Sequence, residues 1–561
     1  MDDRPNLREF LNEVSNFQEE QPVAPTAAAQ AALAPIGQVV EIAGSGSQIR
    51  MEPQMLAALQ SHADPSIAMS GQVGSQVKMV VGNNWLIANV RTMREGDKGE
   101  VLAQIDFLGE GTKAANGSMG NFRRGVTRYP IPSSAVLPVS TEDLRAVFAA
   151  SDEPHVEIGT VYPTDDIRGA LYVDPMLSKH FAILGSTGTG KSTSVALILH
   201  RISQLSPEGH IVMIDPHGEY SAAFKNCGEI FNVDNLQLPY WLMNFDEHCE
   251  VILTTHGAER QRDADILAKC LLAARTKGKD VSQYGKVTVD SPIPYLLADL
   301  NTILVNEMGK LDRAGDTLPF QRLKTKLDEL RADPRYTFMF SGMLVSDSMP
   351  GLIAKLFRLP SQGRPISIVD VSGVPSEVTS VVVSVLARMV FDYAIWSRTE
   401  AQRPLLLVCE EAHRYVPKDE SSEKGQAVRR ILERIAKEGR KYGVSLGLIT
   451  QRPSDLAEGV LSQCGTIVAM RLNNERDQAC VRAAMPEGAR GFLDAIPALR
   501  NRECIVCGEG VAIPIRVRFD DLEPEKRPAS SDPSFARLWR ETGDEAGIIQ
   551  RTIKRWRGHG R

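Results

Sequence analysis

The run Phe181-Ala-Ile-Leu-Gly-Ser-Thr-Gly-Thr-Gly-Lys-Ser-Thr-Ser-Val-Ala-Leu-Ile-Leu-His200 decides the fold. Its first four residues are apolar and read as a short buried strand. From Lys191 onward the apolar spacing is helical. Between the two, Gly185, Ser186, Thr187, Gly188, Thr189, Gly190, Lys191 and Ser192 match the phosphate-loop pattern G-x-x-x-x-G-K-[ST] in full. Glycine lets backbone N–H groups close on phosphate oxygens with no Cβ in the way, and the helix that starts here adds its positive end. Lys191 is placed to reach the β- and γ-phosphates of ATP and the Ser192 hydroxyl to bind Mg2+, with Thr193 as the next nucleotide contact.

Outward from this loop the same strand-then-polar pattern repeats. Ile211-Val-Met-Ile-Asp215 reads as a buried parallel strand that delivers a carboxylate to the sheet's C-terminal edge, where ligands of such sheets bind. Asp215 and Glu219, in Asp215-Pro-His-Gly-Glu-Tyr220, are therefore candidates for positioning water or metal. Pro365–Asp370, Leu405–Glu411, Gly443–Gln451 and Gly465–Arg471 give further strands with helical stretches between them. This alternation predicts an α/β fold with a mostly parallel sheet covered on both faces. The core is expected over residues 155–225 and 350–520, with Ile158–Tyr162 leading in. Residues 226–349 read as a helical insertion, because Ala264–Ala274 and Pro319–Leu330 carry three-and-four apolar spacing. The charged face from Lys324 to Arg331 reads as solvated.

Ahead of the core, residues 37–145 hold short β-branched runs separated by Gly and Asn turns, the pattern of a small β-barrel or sandwich with a structural or assembly role. Arg123, Arg124 and Arg128 form a weak basic patch there. Residues 1–36 are rich in Ala and Pro and read as a flexible arm, with a short docking helix over Leu7–Phe17 as the alternative. Residues 521–561 are a polar tail, either a disordered basic end or an arm that reaches a neighbouring subunit.

The totals bound the function. Across 561 residues, 64 Lys and Arg face 70 Asp and Glu, a net charge of -6, so any grip on DNA must come from a local patch or a channel. Eight scattered cysteines suggest reduced thiols and a cytosolic setting. The start Met-Asp-Asp-Arg-Pro-Asn lacks signal-peptide features, and no apolar run approaches the ~20 residues that span a bilayer. A cytoplasmic protein with no membrane association is expected.

A nucleotide hydrolase needs a carboxylate in the Mg2+ shell and one that polarises the attacking water. Asp215, Asp370 and the pair Glu410-Glu411 all end apolar strands, but only the pair offers two adjacent carboxylates. Glu410 is assigned to the Mg2+ shell and Glu411 to the water, with Asp215 as a further metal candidate. Positive charge at the γ-phosphate is often an arginine from a neighbouring subunit. Arg440, at a helix end between glycines in Glu438-Gly-Arg-Lys-Tyr-Gly443, is the candidate, whereas Arg429, Arg430 and Arg434 read as surface residues. Gln451 ends the next strand, where its amide could sense the γ-phosphate or orient the water. Cys504-Ile-Val-Cys507 has no second pair and reads as core thiols, since a metal site needs about four ligands. His217 and His413 lack metal-ligand spacing and read as supports behind the carboxylates.

Taken together, the phosphate loop, Asp215–Tyr220, Val369-Asp-Val-Ser-Gly373, Glu410-Glu-Ala-His413, Glu438–Gly443 and Thr450-Gln-Arg-Pro-Ser454 resemble, in order and strand context, the HerA family of hexameric DNA-translocating ATPases related to FtsK-type motors. The resemblance covers residues ~155–520 and extends more weakly, through Arg124-Gly-Val and Tyr129-Pro, to that family's small barrel. It implies a RecA-like P-loop ATPase core, a ring of six subunits, ATP and Mg2+ between neighbours with Arg440 acting in trans, and duplex DNA in the channel. It also implies a separate partner, either a NurA-like nuclease or a sirtuin-like or nuclease effector in anti-phage defence. Two readings follow: an ATP-driven translocase or helicase motor, and a ring-shaped ATPase scaffold that regulates a bound effector. A secretion or conjugation ATPase of the same superfamily is disfavoured by the lack of a membrane segment.

Overall fold

The structure, a computed structural model, describes residues 34–43, 46–164, 166–277, 285–310, 314–341, 345–419, 425–485, 490–529, 534–541, 543 and 545–558. The arm before residue 34, with the helix considered over Leu7–Phe17, lies outside the described residues. Two compact units result: Met1–Met119 with Val126–Thr141, and Gly120–Gly125 with Glu142–Arg561.

In the first unit the strands are β1 (Gly37–Ile42), β2 (Gly46–Met51), β3 (Gln76–Val81), β4 (Asn84–Glu95), β5 (Val101–Lys113) and β7 (Ala135–Pro138), whereas β6 (Met119–Arg124) falls almost wholly within the second. They pair in the order β2-β1-β7-β3-β4-β5, and β2 pairs with β5 again, so six strands close on themselves. The barrel expected from the turn-rich β-branched runs is thus present. β4 and β5 are long, and bulges at Ile87/Ala88 and Val90/Thr92 give them the bend that closure requires. Val39, Ile49, Met79, Leu86, Val90 and Ile105 fill the interior, with Val136 from β7.

The second unit carries β8 (His155–Val161), β9 (Arg168–Tyr172), β10 (Phe181–Leu184), β11 (Ile211–Asp215), β12 (Gly228–Phe231), β13 (Ile366–Asp370), β14 (Leu405–Cys409), β15 (Val444–Thr450), β16 (Thr466–Met470), β17 (Glu503–Gly508) and β18 (Ile515–Phe519). They form one sheet in the order β12-β13-β11-β14-β15-β10-β16-β17-β18-β8-β9. From β12 to β16 every pairing is parallel. These are the strands with unbroken apolar runs, as burial on both faces demands.

The sheet is mostly parallel, as expected, and β17, β18, β8 and β9 extend it antiparallel, while two other expectations are corrected. Ile158–Tyr162 therefore lies toward the far antiparallel edge and does not adjoin the phosphate loop's strand. Residues 226–349 are not wholly helical: Gly228–Phe231 is the outermost parallel strand, and the helices Phe245–Ile252, Gly257–Thr276, Leu297–Met308 and Ala314–Ala332 follow it. Finally, the helix Ser376–Trp396 does have the length and mean hydropathy (1.7 over 18 residues) of a membrane span. Its polar members are engaged inside the protein: Ser384 and Arg388 both bond the buried Glu247 carboxylate, which also closes the capping box of Phe245–Ile252.

Other readings agree with the structure. Lys324 pairs with Asp328 on an exposed helix face. Cys504 and Cys507 are buried, and burial pushes both thiols up, Cys507 to about 12. Three residues apart on a strand, they face opposite sides of the sheet and cannot share a metal.

The core beneath the phosphate loop is tightly fitted. Gly447 on β15 lies opposite Phe181 on β10, and a Cβ at Gly447 would stand 2.5 Å from the ring's Cζ. Phe181 is itself buried and has no room to withdraw. Gly447→Ala is expected to cost about 1–3 kcal/mol of stability. Urea unfolding checks this, and Phe181→Leu in the same chain should recover part of the loss.

Candidate active site

The sheet's C-terminal edge gathers the chemistry. β10 ends at Leu184 and the helix Lys191–Leu205 begins at Lys191, so Gly185–Gly190 must turn sharply between them. Gly188 and Gly190 take φ +79° and +91°, which only glycine adopts at little cost. Neighbouring strand ends hold the loop: Gly185 N–H donates to Thr450 O (3.3 Å) and Ser186 N–H to Arg471 O (2.9 Å). The Thr189 hydroxyl donates to Ser186 O within the loop (2.8 Å).

β14 lies two strands away and ends directly in Glu410 and Glu411. The Glu410 N–H continues the ladder to Ile214 O (3.2 Å), which keeps its side chain at the edge. Glu411 turns out of the strand at φ +50°, ψ +44°, a costly backbone for a non-glycine residue and one typical of functional sites. The turn brings Glu411 Oε1 to 3.6 Å from Lys191 Nζ, with both side chains almost fully buried. Glu411 Oε2 stands 3.2 Å from His413 Nδ1, and the same nitrogen lies 2.9 Å from Thr450 Oγ1. Burial lowers the His413 pKa against the opposing pull of Glu411, so His413 stands behind the carboxylate as a neutral support. Gln451, at the end of β15, accepts a hydrogen bond from the Thr187 hydroxyl of the phosphate loop.

Glu410 faces the other way, beside the buried Tyr220 hydroxyl, which in turn lies beside Ser192. Burial pushes Glu410 up to about 8, partly offset by Lys191. Its Oε2 is buried with no hydrogen-bond partner among the described residues. Among the described residues no cluster of three His, Cys, Asp or Glu could hold a metal by itself. A hard cation here would draw on Ser192, Glu410 and phosphate oxygens, the sparse all-oxygen set that suits Mg2+. The orphaned Glu410 oxygen fits that role.

Asp215, a metal candidate from the sequence, is corrected. Its Oδ1 accepts the N–H groups of His217 (3.1 Å) and Gly218 (2.9 Å), and its Oδ2 that of Tyr220 (2.9 Å). It shapes the turn that sets Tyr220 against Glu410. Glu219, from the same turn, adds negative charge near Glu410 and raises its pKa further. Its carbonyl accepts Ala529 N–H (2.8 Å), so part of the expected free tail packs at the site.

Arg440 is not brought to this edge. β15 runs parallel to β10, with Phe181 opposite Gly447 and Leu184 opposite Thr450. Arg440 precedes β15 and so lies at the sheet's opposite edge, about 20 Å from the loop at ~3.3 Å per residue. It is exposed, and among the described residues no carboxylate lies within ion-pair distance of it. Arg429, Arg430 and Arg434 pair with Glu433, Asp246 and Glu438.

Sequence reading missed Tyr220 and Arg502. Tyr220 was visible only as the end of a motif. Arg502 touches the phosphate loop from a turn more than 300 residues further on, with no local signal.

Glu410 gives a pH prediction for the metal-free protein. With a folded pKa of about 8 against 4.5 unfolded, the folded state holds a proton that the unfolded state has lost. The stability this contributes is present below pH 4.5 and is lost as pH rises to about 8. Glu410→Gln has no such dependence. Its melting temperature relative to wild type is expected to climb between pH 5 and pH 8.5, by several degrees in differential scanning calorimetry.

The family model "Helicase HerA, central domain" matches residues 156–390. The DNA double-strand break repair helicase HerA of Pyrococcus furiosus is 25% identical over 526 residues, covering 85% of this chain and 89% of the relative. Its namesake from Sulfolobus acidocaldarius is 25% identical over 76% of this chain and 80% of its own length. Among solved structures, VirB4 of Thermoanaerobacter pseudethanolicus has a TM-score of 0.48 at 15% identity, over 67% of this chain and 99% of that one. The plasmid coupling protein TrwB with an ATP analogue has 0.45 at 16%, over 70% and 94%. Residues 156–390 thus match the HerA central domain, and the chain is similar to HerA helicases over most of its length.

Proposed function

We propose that the chain is an ATP-hydrolysing DNA translocase or helicase motor that works as a cytoplasmic ring, in the family's case a hexamer. The observation that carries this is the split site: Lys191, Glu410, Glu411 and Gln451 meet at one sheet edge, while the exposed Arg440 lies at the other. A subunit so built is complete only beside a neighbour, and a ring supplies one to every site. Glu410 and Ser192 would hold the magnesium of bound nucleotide, which would supply charge neutralisation at the phosphates. Lys191 leaves Glu411 for the phosphates, and Glu411, freed, orients the attacking water and takes its proton. Gln451 reports the γ-phosphate to the loop through Thr187. Arg440 of the next subunit stabilises the transferring phosphoryl group.

The HerA relatives' names speak of double-strand break repair, which supports DNA as the polymer moved. A chain of net charge -6 can still grip duplex DNA if the channel alone is positive. We propose that the motor works with a separate partner, a NurA-like nuclease in end processing or a sirtuin-like or nuclease effector in antiviral defence. One observation favours the scaffold reading: the N-terminal barrel is a compact unit of its own with no catalytic residue, and it exposes Tyr129 and Ile131.

The test is ATP hydrolysis by purified protein of known oligomeric size, with and without linear duplex DNA. Stimulation by DNA of about tenfold or more is expected. Turnover indifferent to DNA in a well-formed ring would move the assignment to the scaffold.

A further inference from the structure

Arg502 has no place in the hydrolysis scheme, yet it touches the phosphate loop in two ways. Its N–H donates to Thr189 O (2.8 Å), and its Cγ would stand 2.9 Å from a Cβ on Gly190. Its carbonyl accepts Phe519 N–H from β18 (2.8 Å), so the backbone here ties the loop to the antiparallel part of the sheet. Arg502 does this at φ +65°, a conformation that favours glycine, and the chain carries a long cation there instead. The side chain is about one-quarter exposed, and its guanidinium is parked on the exposed carboxylate of Asp521. Such an exposed pair is weak and exchangeable.

The strand order fixes which end of the nucleotide Arg502 faces. β10 has β15 on one side and β16 on the other. Glu411 and Gln451, which define the γ-phosphate end, come from the β14–β15 side. Arg502 comes from the turn that leads into β17, on the β16 side, where Asn501 is also held by Arg471 (2.8 Å). A nucleotide laid along the loop with its γ-phosphate at Lys191 must direct its α-phosphate and ribose toward that side.

Resting on the ATP-site reading above, we infer that Arg502 is a nucleotide-positioning residue that leaves Asp521 to bind the α-phosphate. It sets the affinity for di- and triphosphates alike. Glycine suits φ +65°, so Arg502→Gly removes the cation while keeping the backbone.

The experiment uses the full chain, with calorimetric titration of Mg-ADP and of a non-hydrolysable ATP analogue, together with steady-state kinetics and a melting curve. Arg502→Gly is expected to weaken both nucleotides by about tenfold, roughly one charge-assisted contact. The loss should appear in KM far more than in kcat, with an unchanged melting temperature. Arg502→Lys should recover part of the affinity. Wild-type affinity for Mg-ADP in Arg502→Gly would overturn the inference alone, as would a loss confined to the triphosphate or to kcat. A wild-type protein that binds neither nucleotide would sink the ATP-site reading and this inference with it.

Discussion

Glu411→Gln is expected to lower ATP turnover by roughly 10²–10⁴ while nucleotide still binds. Both halves follow from the geometry. Glu411 is the only carboxylate within ion-pair range of Lys191 among the described residues, and it reaches that place through a left-handed backbone turn. Glutamine fits the same space and keeps a polar contact to His413, but it cannot take a proton from water. In the nucleotide-free protein Glu411 competes with phosphate for Lys191, at 3.6 Å in a nearly dry pocket. Neutralising it removes that competitor, so ATP affinity should hold or rise. Turnover and affinity thus move in opposite directions, which general damage to the fold would not produce. Single-turnover hydrolysis with parallel nucleotide titration checks the pair. Loss of binding together with turnover would reassign Glu411 to a structural role.

The contrast between Glu411 and Arg502 shows what the sequence could reveal. The phosphate loop and the Glu410-Glu411 pair are contiguous, and each sits at the end of an apolar run, so residue type and position alone point to their chemistry. The parallel strands were legible for the same reason. Contacts between distant segments were not. Nothing in Glu503–Gly508 or Ile515–Phe519 says that these strands turn antiparallel, because their alternation is the same in either direction. Gly228–Phe231 is a short, half-polar edge strand, too brief to stand out beside the helices that follow it. Asp215 looked like a metal ligand because strand-end carboxylates often are. Only the three N–H groups that converge on it reveal a turn-former. Arg502 depends on a positive φ that no arginine advertises.

Arg440 offers the sharpest test of how the site is completed. Arg440→Ala is expected to reduce turnover by about 10³–10⁵, the range for an arginine that stabilises the transferring phosphoryl group. The fold should be untouched, since the side chain is exposed with no carboxylate partner among the described residues. The loss alone would not show which subunit Arg440 serves, but its position supplies the rest. It precedes β15, whereas the loop it must serve follows β10, and the two strands run in parallel register. No rotamer of one arginine spans the intervening sheet, so the role proposed for Arg440 is on a neighbour's nucleotide. Mixing inactive Lys191→Ala and Arg440→Ala chains before assembly should therefore restore hydrolysis. A randomly mixed ring sets an intact Lys191 against an intact Arg440 at about one interface in four, which caps recovery near a quarter of wild type for independent sites. If Arg440 served its own subunit, every site in the mixture would carry a lesion and turnover would stay at the level of the single variants.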